Sequence, residues 1–345
     1  MTIVADRPVG EATLNPYRID TLDRRALIAG LGACTLCAGS AAAAQEPAPP
    51  GEEQQIRLLT NLFTRVGAAV FLNGQGPFVF VIDTGAGTTA IADTVANQLA
   101  LPDREPMLVH GITTATMTRS VALDRLSLGG AAFRNLRCPI LPREQLAADG
   151  LLGLDVLDRF RLTFDVAKRS AELSVQGHRV ILGGEMQTGS RIPRDSTRAV
   201  RGRFGQLIMP QVVVDGQQTA AFVDSGAQYS IGNLALRRAI RARRPDAARL
   251  AQTIPIYGVT GQRLIAELAQ VDELRLGGAR LGVTPLLFAD LHCFETLELA
   301  DQPALLIGAD ILSRFRLVTL DFPNNSISLR GLRRQTTRPL ELGNS

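Results

Sequence analysis

The sequence predicts a mainly β protein built from two homologous lobes. An apolar strand that ends in Asp-Thr/Ser-Gly-Ala occurs twice, at residues 79–86 (VFVIDTGA) and 220–227 (AAFVDSGA). Segments rich in β-branched residues alternate with regular turn signals in both halves, and the helical patterns between them are short. Two equivalent half-domains can bring their carboxylates together across a pseudo-two-fold axis, so the repeat also predicts where the chemistry lies.

Six sequence blocks recur in the same order in both halves, which indicates a duplication rather than a chance match. Each half begins with a short strand and Asn-Gly or Asp-Gly, which favours a tight hairpin turn. The Asp block, a short helical pattern, a polar hairpin, a Gly-Gly turn and an apolar pair followed by glycine come next. The blocks of the first half are residues 68–74, 79–86, 92–99, 109–113, 126–131 and 151–162. Their counterparts are residues 210–216, 220–227, 233–240, 256–260, 274–279 and 306–317.

These motifs resemble the aspartic protease superfamily, and most closely the retropepsin-like bacterial aspartyl proteases. The shared pattern is an apolar pair, Asp-Thr/Ser-Gly-Ala and, later in each lobe, two apolar residues and a glycine, here at 151–153 and 306–308. The resemblance extends over residues 67–329. It implies two acid-protease-type β-barrel lobes in one chain, with a cleft between them that is covered by one or two flaps.

The resemblance further implies a catalytic dyad of Asp83 and Asp224. Two carboxylates held about 3 Å apart cannot both ionise, so one of them keeps a proton, as is general in aspartic proteases. One Asp then acts as general base toward a water and the other as general acid toward the peptide carbonyl. We expect peptide-bond hydrolysis without a covalent intermediate.

The residues that follow each Asp fit a supporting role. The hydroxyls of Thr84 and Ser225 are expected to form hydrogen bonds across the lobe interface and to hold the two loops together. Gly85 and Gly226 are expected to allow a sharp turn close to the carboxylates. A single Asp-Thr-Gly is more often a surface turn, but the matched duplication and the apolar strands before both triplets favour the dyad.

Two hairpins are candidate flaps. Tyr257-Gly258 is similar to the Tyr-Gly flap tip of pepsin-like enzymes, although it lies in the second half; the alternative is an ordinary hairpin with an exposed tyrosine. His110-Gly111 holds the corresponding place in the first half. We expect His110 to be a polar loop residue rather than a catalytic group. The Leu-Leu-Gly and Leu-Ile-Gly blocks are expected to be core strands beneath the Asp loops.

Other chemistries have little support in the sequence. The three histidines, His110, His178 and His292, show no helical pairing, so a zinc-hydrolase site is not expected. Neither a Gly-x-Ser-x-Gly elbow nor a phosphate loop is present. We expect no cofactor and no metal. The net charge of +4 comes mostly from dispersed arginines, and the Arg-rich run 237–244 is interpreted as a solvated helix face, so nucleic acid binding is not expected.

Residues 1–44 are predicted to be an export signal and to lie outside the fold. Arg24 and Arg25 precede an uncharged Ala-rich stretch that ends in a small-residue cleavage site, similar to twin-arginine signals, although Asp23 stands where those usually carry Ser or Thr. The expected destination is the periplasm. A membrane anchor, or a lipid anchor on Cys34, is the alternative, and no stable membrane span is expected once the signal is removed.

The remaining chain divides into a spacer, two lobes, a connection and a tail. The predicted boundaries are 45–55 for the flexible spacer, 56–180 for the N-terminal lobe, 181–197 for the interlobe linker, 198–330 for the C-terminal lobe and 331–345 for the polar tail.

The sequence therefore predicts an exported aspartic endopeptidase that acts on peptides or proteins as a monomer, since both halves of the site are in one chain. The first alternative is a peptide-binding or regulatory module that kept the fold without turnover. The second is a metal-dependent hydrolase that uses the two Asp groups. After signal removal Cys138 and Cys293 remain, and the repeat offers no reason to pair them.

Overall fold

In a computed structural model of the chain, the described residues are 4–5, 67–166, 168, 170–175, 178–183, 196–247, 250–257 and 263–333. The predicted export signal apart from Val4–Ala5, the predicted spacer, Gly258 and the tail beyond residue 333 lie outside this part of the chain. The predicted domain boundaries therefore stay predictions.

The described residues form strands β1–β24 and helices α1–α6. The strands of the first half are β1 (Val4–Ala5), β2 (Gly67–Leu72), β3 (Gln75–Ile82), β4 (Ala90–Ala92), β5 (Asp103–His110), β6 (Ala115–Leu128), β7 (Ala131–Leu141), β8 (Gly150–Leu152), β9 (Arg161–Asp165), β10 (Ser170–Val175) and β11 (His178–Gly183). Those of the second half are β12 (Ser196–Arg198), β13 (Val200–Arg201), β14 (Leu207–Val214), β15 (Gln217–Val223), β16 (Ile231–Gly232), β17 (Leu250–Tyr257), β18 (Arg263–Val271), β19 (Leu274–Leu276), β20 (Ala279–Leu281), β21 (Thr284–Phe288), β22 (Ala304–Ile307), β23 (Phe315–Asp321) and β24 (Ser326–Leu332). The helices are α1 (Asp93–Gln98), α2 (Arg143–Leu146), α3 (Leu154–Leu157), α4 (Leu234–Arg243), α5 (His292–Thr296) and α6 (Ala309–Leu312).

The first lobe is a closed barrel. Strands β6, β2, β3, β8, β4 and β7 are neighbours in that order, and β7 pairs back onto β6. Alternate residues of β2, namely Ala68, Val70 and Leu72, are fully buried, as the period of two predicts for a strand with one face on a core. Strand β5 pairs with β6 outside the ring, and the backbone of Val4–Ala5 pairs antiparallel with β5 opposite His110 and Val109. The structure confirms the mainly β class and the barrel-like lobe.

The second lobe repeats this order with one interruption. Its strands run β18, β21, β16, β22, β15, β14 and β19, so that β18 and β19 together take the place of the long β6. The break lies at residues 272 and 273, whose backbone N–H groups both donate to Asp215 Oδ1 at 2.8 Å. Because these amides bond a side chain, they do not continue the ladder.

A third sheet joins the lobes. Its order is β11-β10-β9-β23-β24-β12, and β9 of the first half pairs antiparallel with β23 of the second, with Leu162 opposite Leu320. Arg161 Nε lies 2.8 Å from Asp321 Oδ2 across this junction, and the Asp321 side chain is 4% exposed. Both ends of the predicted linker 181–197 belong to this sheet. The lobes are therefore connected by continuous hydrogen bonding and not by a loop alone.

Several smaller expectations can be compared with the structure. Leu151, Leu152, Leu306 and Ile307 are fully buried in β8 and β22, as expected for core strands beneath the Asp loops. Cys138 and Cys293 are buried free thiols. None of the helices in the described ranges is long and apolar enough to cross a membrane.

Candidate active site

Asp83 and Asp224 follow the last residues of β3 and β15. Each of these strands pairs in parallel with the strand of the apolar-apolar-Gly block of its own lobe, β8 or β22. The backbone N–H of Asp83 donates to Leu152 O at 3.1 Å, and that of Asp224 to Ile307 O at 3.0 Å. The pairing holds both Asp residues at equivalent places, where they are 2% and 0% exposed.

The turn after each Asp directs backbone donors at its carboxylate. Gly85 N–H donates to Asp83 Oδ1 at 2.9 Å. Gly226 N–H and Ala227 N–H donate to Asp224 Oδ1 at 2.8 and 3.1 Å. These bonds fix the orientation of both side chains and offer charge-assisted partners to an ionised carboxylate.

Thr84 and Ser225 form the crossed hydrogen bonds that the sequence predicts. Thr84 Oγ1 donates to Val223 O at 3.1 Å and accepts Ser225 N–H at 3.0 Å. In the opposite direction, Ser225 Oγ donates to Ile82 O at 3.1 Å and accepts Thr84 N–H at 3.1 Å. Both hydroxyls are buried. These four hydrogen bonds tie the Asp loop of each lobe to the Asp loop and the end of the preceding strand in the other lobe.

The two loops approach closely enough that only glycine fits between them. A Cβ placed on Gly85 would lie 2.5 Å from Asp224 Cγ, well inside van der Waals contact. The structure therefore brings Asp83 and Asp224 to one site, together with Thr84 and the loop glycine of the first lobe.

Burial decides the protonation of this site. The pKa of Asp83 is raised from its ordinary 3.8 to about 7, chiefly because burial removes the carboxyl from water. The neighbouring charge of Asp224 acts in the same direction, and hydrogen bonds from the backbone of Gly85 and Ala86 act in the opposite one. A carboxyl whose pKa is raised in this way can act as a general acid.

A second polar layer, which the sequence reasoning missed, supports the first Asp loop. Asp155 Oδ1 accepts the N–H of Thr89 at 2.9 Å and its hydroxyl at 2.6 Å. Thr89 Oγ1 in turn accepts Gly153 N–H at 3.1 Å. The clamp joins the residue before β4 to the glycine after β8. On its other edge β8 pairs with β3, the strand that precedes Asp83.

The second lobe repeats this clamp with different residues. Asp310 accepts the N–H and hydroxyl of Ser230 at 3.0 and 2.6 Å, and Ser230 Oγ accepts Gly308 N–H at 2.9 Å. Burial raises the pKa of Asp310, and its bonds to Ser230 oppose this. The signal for both clamps was present in the duplicated blocks, where the apolar pair is followed by Gly-x-Asp in each half.

The flap candidates have different outcomes. His110 ends β5 and Gly111 begins the turn to β6, where Gly111 N–H donates to Thr114 O at 2.8 Å, so this hairpin is present. His110 lies 2.8 Å from His292 of the second lobe, a contact that no sequence pattern predicts. Tyr257 ends β17, with its backbone paired to Arg263, and Gly258 lies outside the described residues.

No group of three or more His, Cys, Asp or Glu side chains in the described ranges is arranged to hold a metal ion. Burial raises the pKa of the Cys293 thiol, and the charge of Asp224 adds to this effect, so the thiol stays protonated beside the dyad.

Comparison with solved structures finds a retropepsin-like aspartic protease from Rickettsia conorii, at 14% sequence identity and a TM-score of 0.26. It covers 42% of this chain and 96% of the other. A similarity of this size supports no statement about activity. Comparison with curated protein sequences finds no match.

Comparison with protein families is more informative. A family described as Aspartyl protease matches residues 68–156 and 210–311. The two matched segments contain the two Asp loops and the two apolar-apolar-Gly blocks, one set in each lobe, and together they cover more than half of the chain. The chain therefore belongs to the aspartyl protease family.

Proposed function

We propose that this protein is an aspartic endopeptidase in which Asp83 and Asp224 activate a water for attack on a peptide bond. One observation carries the proposal: two buried carboxylates from homologous loops meet at a single site, and burial raises the pKa of one of them, Asp83. The reciprocal geometry of the crossed Thr84–Ser225 bonds supports it, because this network would hold both carboxylates still during the reaction.

The surroundings of the two carboxylates suggest separate roles. Asp83 is the group that stays protonated, so we assign it the hydrogen bond to the peptide carbonyl as general acid. We assign Asp224, the other member of the pair, the role of the general base that takes a proton from water. As water attacks, Asp83 gives its proton to the carbonyl oxygen and Asp224 takes one from the water, which forms a gem-diol. When this intermediate collapses, the C–N bond breaks, Asp224 passes its proton to the leaving amine and one hydroxyl returns a proton to Asp83, leaving a carboxylic acid as the second product.

The proposed substrate is an extended segment of a peptide or protein, since strands present backbone donors and acceptors to such a chain. Each lobe supplies one Asp, so activity as a monomer follows from the proposal. The proposal also includes export to the periplasm, directed by the leader at residues 1–44, and this part is supported by the sequence alone.

The test is cleavage of a mixed peptide library from pH 3 to 8.5 by the purified chain from residue 45 to 345, with Asp224→Asn beside it. Cuts that the wild type makes and the variant does not would support the dyad, provided that both proteins have the same circular dichroism spectrum. Cuts that persist in Asp224→Asn would refute it. Cuts that vanish with a chelator would instead favour a metal-dependent hydrolase, and no cuts at any pH would favour a binding module.

A further inference from the structure

The tip of the first-lobe flap is fastened to the second lobe. We define this flap as residues 108–116, which comprise the end of β5, the turn and the start of β6. His292 N–H, at the start of α5, donates to Ile112 O at 2.9 Å. Ile112 also packs against the apolar cluster of the second lobe that contains Phe222 and Phe294. The flap therefore bridges the two lobes.

A histidine pair completes this contact. His110 Nδ1 and His292 Nε2 lie 2.8 Å apart, and the two rings stack with centroids 5.1 Å apart and an interplanar angle of 17°. The His292 side chain is 25% exposed, so solvent protons can reach it. The pair is separated by 182 positions in the chain and joins the flap to a helix of the opposite lobe.

A nitrogen–nitrogen contact of this length requires one N–H donor and one lone pair. The neutral pair meets the requirement, and so does a pair with one added proton, because one ring then donates to the other. When both rings are protonated, both facing nitrogens carry hydrogen and both rings are positive, so the contact becomes repulsive. The bond therefore persists while the pair carries no more than one added proton, and it is lost when both rings are protonated.

Among the described residues, the following titratable groups lie on the elements next to the pair. On α5, Glu295 Oε2 lies 3.3 Å from His292 Nδ1, and Cys293 is a buried thiol whose pKa burial raises. The flap carries no titratable side chain other than His110, and the backbone of Val4–Ala5 that pairs with β5 adds none. Beneath the contact, Asp224 acts electrostatically on Cys293, and its partner in the dyad is Asp83.

We propose that His110 and His292 form a latch that holds the first-lobe flap onto the second lobe and opens when both imidazoles are protonated. Because the contact becomes repulsive only when both rings carry a proton, opening is driven by acidification. The consequence for substrate access rests on the proposed peptidase function, whereas the latch itself does not.

The chain offers a direct reporter of the latch. The His292 amide bonds Ile112 O across the lobe interface, so its hydrogen-exchange protection measures whether the flap is closed. Protection factors, which correct for intrinsic exchange at each pH, would be measured from pH 5 to 8 on the full chain. We expect the wild type to lose about tenfold of this protection on acidification, the change expected for one hydrogen bond.

Two variants separate protonation from mere contact. His292→Gln keeps a neutral acceptor in the place of Nε2, so its protection should remain high in acid. His292→Ala removes the acceptor, so its protection should be low at every pH. His178→Gln, in β11 of the interlobe sheet, is the matched control and should behave as the wild type. Wild-type protection that does not change with pH, or a His292→Gln protein that opens in acid like the wild type, would overturn the latch.

Steady-state kinetics test whether the latch controls the access of substrate to the cleft. The ratio of kcat/KM for wild type to that for His292→Gln should rise as the pH falls, through KM rather than kcat, since the flap controls binding and not the chemical step. A ratio that stays constant while protection changes would show that the latch does not govern access. If no variant cleaves peptides at any pH, the proposed function fails, and the exchange experiment still decides the latch.

Discussion

The proton held by Asp83 should make the stability of the protein depend on pH, and Asp83→Asn should remove that dependence. In the unfolded chain an aspartate ionises above its ordinary pKa of 3.8, whereas burial keeps Asp83 protonated in the folded protein up to about pH 7. Folding therefore takes up a proton between these values. Stability from this group is fully present below pH ~4 and is lost as the pH rises toward ~7.

The size of the effect follows from the same two values. A difference between 3.8 and about 7 at a group that is 2% exposed corresponds to about 4 kcal/mol of unfolding free energy. Asparagine has the shape of a protonated aspartate and does not ionise. The free energy of unfolding of Asp83→Asn, relative to that of the wild type, should therefore increase by about 4 kcal/mol as the pH rises from 4 to 7.5, and it should not increase further above pH 7.5.

The assay is urea unfolding followed by far-ultraviolet circular dichroism at pH values from 4 to 8.5, because the chain has no tryptophan to report by fluorescence. Asp124→Asn is the matched control: this residue is exposed on β6, and its variant should follow the wild-type profile. A constant difference between Asp83→Asn and the wild type across the whole range would refute the argument that Asp83 is buried as the neutral acid.

Two further changes test the loop geometry. Thr84→Val keeps the shape of the side chain but removes the hydroxyl that bonds a carbonyl and an amide of the other lobe. Unfolding by urea should show a loss of about 2–6 kcal/mol, since each of these two buried groups costs about 1–3 kcal/mol without a partner. A loss below about 0.5 kcal/mol would argue against the crossed network. Gly85→Ala places a methyl 2.5 Å from Asp224 Cγ and should lower kcat at least about 100-fold, the scale of a 1 Å misplacement at a reacting group. Gly278→Ala, where nothing lies within 4 Å of the added methyl, is its control, and equal activity of these two glycine variants would contradict the close approach.

Much of the site was predictable because its signals are local. The apolar strand before each Asp, the small hydroxyl residue and the glycine after it are adjacent in sequence, and the duplication supplies the second copy. The crossed Thr84–Ser225 bonds could be predicted from symmetry, since a loop that meets its own copy must place equal groups opposite each other. The two clamps were missed because Asp155 and Asp310 lie in blocks whose apolar residues suggested only a core.

The sequence alone determined the class, the two lobes and the identity of the paired carboxylates, because hydrophobic period, turn residues and repetition are properties of neighbouring positions. Only the tertiary structure decided that β9 and β23 join the lobes in one sheet, and that His110 meets His292 at the flap. Such contacts depend on how two packed lobes approach each other, and on side chains 182 positions apart. No local sequence pattern encodes a contact between residues so far apart in the chain. The packing of the two cores and the shared sheet set how the lobes approach each other, and so they determine these contacts.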